Sequence, residues 1–279
     1  MTKATDFKTE ETTVPARPET RRQARALGFA AAVALLAGIV SCSPGPSDAD
    51  VKTVNVYTAR HYDADDRLFK AYRVIAYAKD RVRPEEVASM DALAQPRFKG
   101  RVCARTSTNI YNLSLLAARL DRTGPQAAEA WARGVAANFA RPPQGSDTDQ
   151  LRAVAGGVCD VAIVNHYYVV RMQASKDPAD SAAGATLAVA IPDQGADGVG
   201  VHTNVSGGAV GRYAKNKNAA IDLLAFLASP EAQAEVAALN DEFPIDAATA
   251  LPDPLKAFGA IKEDPTPLTV YGPRQSEAQ

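Results

Sequence analysis

Two adjacent phenols, Tyr167 and Tyr168, stand directly after an apolar run in the stretch DVAIVNHYYVVR, residues 160–171. A strand sends neighbouring side chains to opposite faces, so a tyrosine pair can serve one point only where strand geometry has ended. If the strand ends at Asn165, both phenols fall in the turn that opens a helix. There they can converge, and the helix N-terminus favours negative charge at that place. An unperturbed tyrosine has a pKa near ~10, so two phenolates held together at neutral pH require a strong Lewis acid. A hard trivalent cation meets that requirement, and ferric iron is the obvious candidate. The plainer alternative is packing, with one ring turned inward and the other at the rim.

The elements that must position this pair can be read along the chain. Val51–Thr58 alternates as a strand, and a turn at 59–63 leads into an amphipathic helical segment from Asp65 to Tyr72. Further strands are expected at Arg73–Ala78, Arg101–Ala104, Cys159–Val164 and Thr186–Ile191. Helical spacing marks Tyr111–Leu120, Gln126–Asn138, Gln150–Gly156, Ala219–Leu227 and Pro230–Leu239, with a short helical stretch opening at Pro84. The Pro-rich tail from Pro252 reads as coil. Strands alternating with helices argue for an α/β fold with a mostly parallel sheet.

Composition bounds the partners. The 279 residues are 46% apolar and 23% charged, with a formal net charge of −1. Neither nucleic acid nor an anionic membrane surface is suggested as a partner. The first residues read as an address: Arg17, Arg21, Arg22 and Arg25 precede the apolar run from Ala26 to Val40. That run is too short for a comfortable span and suits a signal-peptide core. Its end, Ile39-Val40-Ser41-Cys42, resembles a bacterial lipobox, which would make 1–41 a lipoprotein signal peptide and Cys42 the lipidated residue. Residues 42–50 then form a tether, and the protein works outside the cytoplasmic membrane, periplasmic or at the cell surface. With Cys42 so used, Cys103 and Cys159 remain, either bridged in an oxidising compartment or kept as two buried thiols.

Three segments in order, NVYTARHYDADDRLFKAY, RVCARTSTNIYNLSLLAARL and CDVAIVNHYYVV, resemble the periplasmic ferric-iron-binding proteins. The later NKNAAIDLLAFLASPEAQAEV and EFPI segments are similar to that family too. The resemblance covers residues 51–248. It implies a two-lobed, type II periplasmic-binding-protein (Venus-flytrap) fold, and Fe(III) held in the cleft between lobes and delivered to an ABC permease. Carried over residue by residue, it implies iron ligands at Tyr62, Tyr111, Tyr167 and Tyr168, with His61 as an additional or alternative ligand. Arg60 and Arg105 would balance the phenolates or hold a synergistic anion of unknown identity. His166 and His202 have no matching role and are expected to be structural.

The chain departs from the family after its first expected helix, where LFKAY runs straight into RVIAYAKD and roughly 80 residues are missing, about half a small domain. The first lobe is thus expected to be truncated, built from 51–72 and 199–248, with 73–198 and 249–279 forming the second. None of the expected ligands lies in the missing stretch. The implied protein is a monomer that binds without turnover: no GxSxG, HExxH, Walker A or CxxC motif is present. Alternatives are a binding protein for another small ligand, or an inactive truncated remnant.

Overall fold

The computed structural model describes residues 69–279. Its centre is β1 (Lys70–Ala78), a nine-residue strand, KAYRVIAYA, that is buried over all but its first residue. A strand covered on both faces reads as a near-continuous apolar run and does not alternate. Tyr72, Val74, Ala76 and Ala78 face a core shared with Leu151, Val164 and Leu187. Ile75 and Tyr77 face a second core with Leu93, Phe98 and Leu115.

The sheet order is β2 (Val102–Cys103), β3 (Val161–Asn165), β1, β4 (Leu187–Ala190), with β5 (Thr203–Val205) also paired to β1. β2 and β3 run parallel, whereas β1 is antiparallel to β3, β4 and β5. The expectation of a mostly parallel sheet is therefore corrected. Helices do connect β2, β3 and β4, and these three strands point the same way, as a crossover helix requires. β1, however, is wedged antiparallel between β3 and β4. It is followed by three short 3-10 turns at Pro84–Val87, Met90–Ala94 and Pro96–Phe98, and a chain reversed by turns needs no crossover.

Between β2 and β3 lie α1 (Ile110–Thr123), α2 (Pro125–Ala137) and α3 (Asp147–Ala155), and after β3 come α4 (His166–Gln173) and α5 (Pro178–Ala185). Asn109 caps α1 and Ser146 caps α3, each side chain accepting a backbone N–H of the first turn. Beyond β5 lie α6 (Lys217–Leu227) and α7 (Pro230–Asn240). The tail is mostly coil as read, with two four-residue helices, α8 (Asp253–Lys256) and α9 (Gln275–Ala278), and a 3-10 turn at Leu268–Val270.

The helical reading of Asp65–Tyr72 fails over its described part. Lys70–Tyr72 are strand, paired to β5, and Lys70 exchanges backbone hydrogen bonds with Phe243 of the EFPI segment. Partners distant in sequence override so short a helical pattern. Within β1 the pairing changes after Tyr72: residues 70–72 face β5, and 73–77 face β3. The strand expected at 51–58, the turn bearing Arg60, His61 and Tyr62, and Cys42 lie outside the described residues.

Cys103 and Cys159 form a disulfide with Cα atoms 5.9 Å apart. It joins the end of β2 to the residues just ahead of β3, alongside the ladder that pairs Val102 with Val161 and Cys103 with Ala162.

Candidate functional site

β3 ends at Asn165 and α4 starts at His166, so Tyr167 and Tyr168 stand in the first turn of a helix. Their ring centres are 4.6 Å apart. Tyr111 occupies the matching place at the start of α1, where its backbone N–H is bound by the Asn109 cap. Two helix N-termini thus present three phenols, and the partial positive charge at each end favours phenolate there. Ile110 at the head of α1 is exposed and Tyr111 half-buried, so the helix start faces solvent.

Tyr167 is almost fully buried. Burial pushes its hydroxyl far above the ordinary tyrosine range, and the neighbouring Tyr111 and Tyr168 phenols push it the same way. The Asn165 side-chain amide opposes them by donating to the Tyr167 hydroxyl oxygen at 3.0 Å. Without a cation Tyr167 is a phenol. A metal that takes its oxygen must displace the proton. The Arg171 guanidinium lies 4.8 Å over the Tyr167 ring.

Behind the phenols is a polar group that sequence reasoning passed over. Arg73, in the middle of β1, is wholly buried. It sits directly opposite Asn165 in the β1–β3 register. Its Nη1 donates to Asn165 Oδ1 at 3.1 Å, and its Nη2 donates to Asn112 Oδ1 at 2.6 Å and to the Ile163 carbonyl at 3.2 Å. Nη1 also lies 3.5 Å from Asp147 Oδ1, and Arg105 stands 3.8 Å from the other oxygen of that carboxylate. Burial pushes the Asp147 carboxyl up, while Arg73 and Arg105 pull it down. The signal that could have found this group is a single arginine inside an otherwise apolar strand, since a buried charge has to be partnered.

The expected residues divide as follows. Tyr111, Tyr167 and Tyr168 come together, and Arg105 stands behind them through Asp147. Tyr62, His61 and Arg60 lie outside the described residues. His166 is fully buried: its Nδ1 accepts the Tyr72 backbone N–H at 3.1 Å and its Nε2 donates to the Asp241 carbonyl at 2.9 Å. Desolvation lowers its pKa to about 3, which keeps the ring neutral and committed to joining β1 to the end of α7. His202 is likewise lowered to about 3 by burial and pairs with Ser114 Oγ through Nε2 at 3.1 Å. Among the described residues no cluster of three or more His, Cys, Asp or Glu is placed to hold a metal.

Residues 63–260 match the family model described as bacterial extracellular solute-binding protein. The chain belongs to that family. Among bacterial extracellular solute-binding proteins it is 31% identical to iron uptake protein A2 of Synechocystis sp., over 93% of this chain and 97% of the relative. That alignment runs over 335 positions, more than the 279 residues present here, so the relative has sequence that this chain lacks. Iron uptake protein A1 of the same organism is 42% identical over 75% of this chain and 58% of its own length.

Two solved structures superpose with TM-scores of 0.73: apo FutA2 from Synechocystis at 40% identity, and a Trichodesmium protein in complex with iron and citrate at 42%. A ferric binding protein from Campylobacter jejuni gives a TM-score of 0.71 at 36% identity. Each is covered over about two thirds of its own chain (66% to 67%) and over 76% of this one. The fold is accordingly the mixed α/β, type II fold of the two-lobed periplasmic ferric-binding proteins, over a shorter chain.

Proposed function

We propose that this chain is an extracytoplasmic ferric-iron-binding protein that delivers Fe(III) to an ABC permease. The observation that carries the reading is the placement of Tyr111, Tyr167 and Tyr168 together in the first turns of α1 and α4. Phenolate oxygens are hard, anionic donors, matched to a hard trivalent cation and poorly matched to soft metals. Tyr62, with His61 as a further or alternative donor, completes the ligand set, and Arg60 and Arg105 balance the charge or hold a synergistic anion. Similarity to iron uptake and ferric binding proteins supports the choice of iron.

The lobes are 51–72 with 199–248, shortened, and 73–198 with 249–279. The change of β1 partners after Tyr72 supports a boundary there. A signal peptide over 1–41 directs export, and a lipid on Cys42 with the tether at 42–50 anchors the monomer to a membrane, periplasmic or at the cell surface.

The test is a titration of the mature protein with ferric citrate at neutral pH, followed in the visible range. A phenolate-to-iron charge-transfer band saturating near one metal per chain is expected. Tyr167→Phe/Tyr168→Phe should abolish it. A folded wild-type protein with no band, or a double variant with an undiminished one, refutes the assignment.

A further inference from the structure

We propose that Arg73 is a positioning residue for the tyrosine site: it fixes two side-chain amides, one beside Tyr111 and one on Tyr167, and so sets both phenols from a single buried cation. The proposal rests on the tyrosine-site reading above and adds to it the device that holds the ligands in register.

Arginine has donors only, so each amide oxygen it meets must be turned toward it. Asn165 turns its oxygen to Arg73 Nη1, which leaves its NH2 group directed at the Tyr167 hydroxyl oxygen, 3.0 Å away. The orientation matters chemically, because a donated hydrogen bond favours phenolate over phenol. Asn112 turns its oxygen to Arg73 Nη2, and its NH2 group then donates to the carbonyls of Arg105 and Thr106, both at 3.1 Å. Those bonds close the loop ahead of α1 and fix the turn from which Tyr111 projects. The same guanidinium carbon lies 6.0 Å from the centre of the Tyr111 ring.

Its placement is rigid. Arg73 is held by its pairing with Asn165 on β3, by its backbone N–H donated to the His202 carbonyl, by the Ile163 carbonyl and by Asp147 at the start of α3. Its Nε and the Asp147 Oδ2 are buried without a hydrogen bond. A planar, forked guanidinium can serve both amides and a carbonyl at once, which a lysine ammonium on the same strand cannot do with fixed geometry. Other charges near Tyr167 are Arg171 on α4 and Glu242 after α7, while Arg105 from the loop before α1 faces the Asp147 carboxylate.

Arg73→Lys and Asn165→Ala test the proposal by ferric titration, with affinity and the position of the charge-transfer band as readouts. Asn165→Ala leaves the Arg73–Asp147 pair in place, so it serves even if Arg73→Lys fails to fold. Each should weaken iron binding roughly 10- to 100-fold, the range for groups that orient metal ligands, and move the band. In a Tyr167→Phe background, Asn165→Ala should cost no more than about twofold, within the scatter of additive sites. Wild-type affinity and band in a folded variant, or an equal loss in both backgrounds, overturns the role of Arg73. A wild-type protein with no band overturns the iron reading itself, and the two failures are thus distinct.

Discussion

Removing the Cys103–Cys159 bridge should cost stability and leave the site's chemistry intact. The bond closes a loop of 56 residues that contains α1, α2 and α3. In the chain-entropy account a loop of that length loses about 14 cal/mol/K in the unfolded state, or about 4 kcal/mol at 25 °C. In the folded state the β2–β3 ladder already holds the two segments side by side. The Tyr111 and Tyr167 turns therefore keep their places without the bond. The perturbation is Cys103→Ala/Cys159→Ala, compared with wild-type protein in the presence and absence of a reductant. In equilibrium urea unfolding, a slope of about 3 kcal/mol/M turns this loss into a midpoint lowered by about 1.4 M, with a steeper transition because the open chain exposes more surface. Ferric affinity, measured where both proteins are folded, should agree within about threefold, since sites with no shared partners act independently. A midpoint unchanged by reduction would refute the entropic reasoning. An affinity lost with the bridge would refute the claim that the tyrosine turns keep their places without it.

Three further perturbations have defined outcomes. His166 and His202 are held near pKa 3 against an ordinary value of 6.5, so the unfolded chain binds their protons first. Stability is complete above pH 6.5 and falls as pH drops toward 3, by about 1.4 kcal/mol per unit for each ring. The buried carboxyls of Asp147, Asp193 and Asp241 are shifted up and act in the opposite sense at lower pH. Urea unfolding at pH 7 and pH 5.5 should therefore show a loss, and His202→Gln should reduce it; a flat profile would contradict the neutral assignment. Asp147→Asn strips the carboxylate from the buried Arg73 and should cost about 3 to 5 kcal/mol in the same assay, a loss under 1 kcal/mol meaning that the guanidinium finds its balance elsewhere. Gly200 has φ +97° and a Cβ there would stand 2.5 Å from the Glu263 backbone, so Gly200→Ala should lower stability by more than about 1 kcal/mol, and an unchanged midpoint would show that the two segments separate freely.

Much of the site is local and was legible in sequence. The end of a β-rich run at Asn165 places Tyr167 and Tyr168 in the turn that follows, and the helical spacing from Tyr111 to Leu120 puts Tyr111 at a helix start; both depend on spacing within a few residues. Helix limits agreed to within a few residues for the same reason. What depends on partners far along the chain was not legible. Lys70–Tyr72 become strand because Thr203–Val205 and Phe243 are there to pair with them, and the antiparallel insertion of β1 between β3 and β4 leaves no pattern in its own nine residues. Arg73 shows the difference most clearly. Its charge was visible in the strand, but its meaning comes from Asn112, Asn165 and Asp147, which are 39, 92 and 74 residues away. Sequence determined which phenol groups stand at the starts of helices, because side-chain chemistry and turn position are properties of short segments. Only the tertiary structure decided how they are held, because a buried cation takes its partners from wherever the fold brings oxygen atoms within reach.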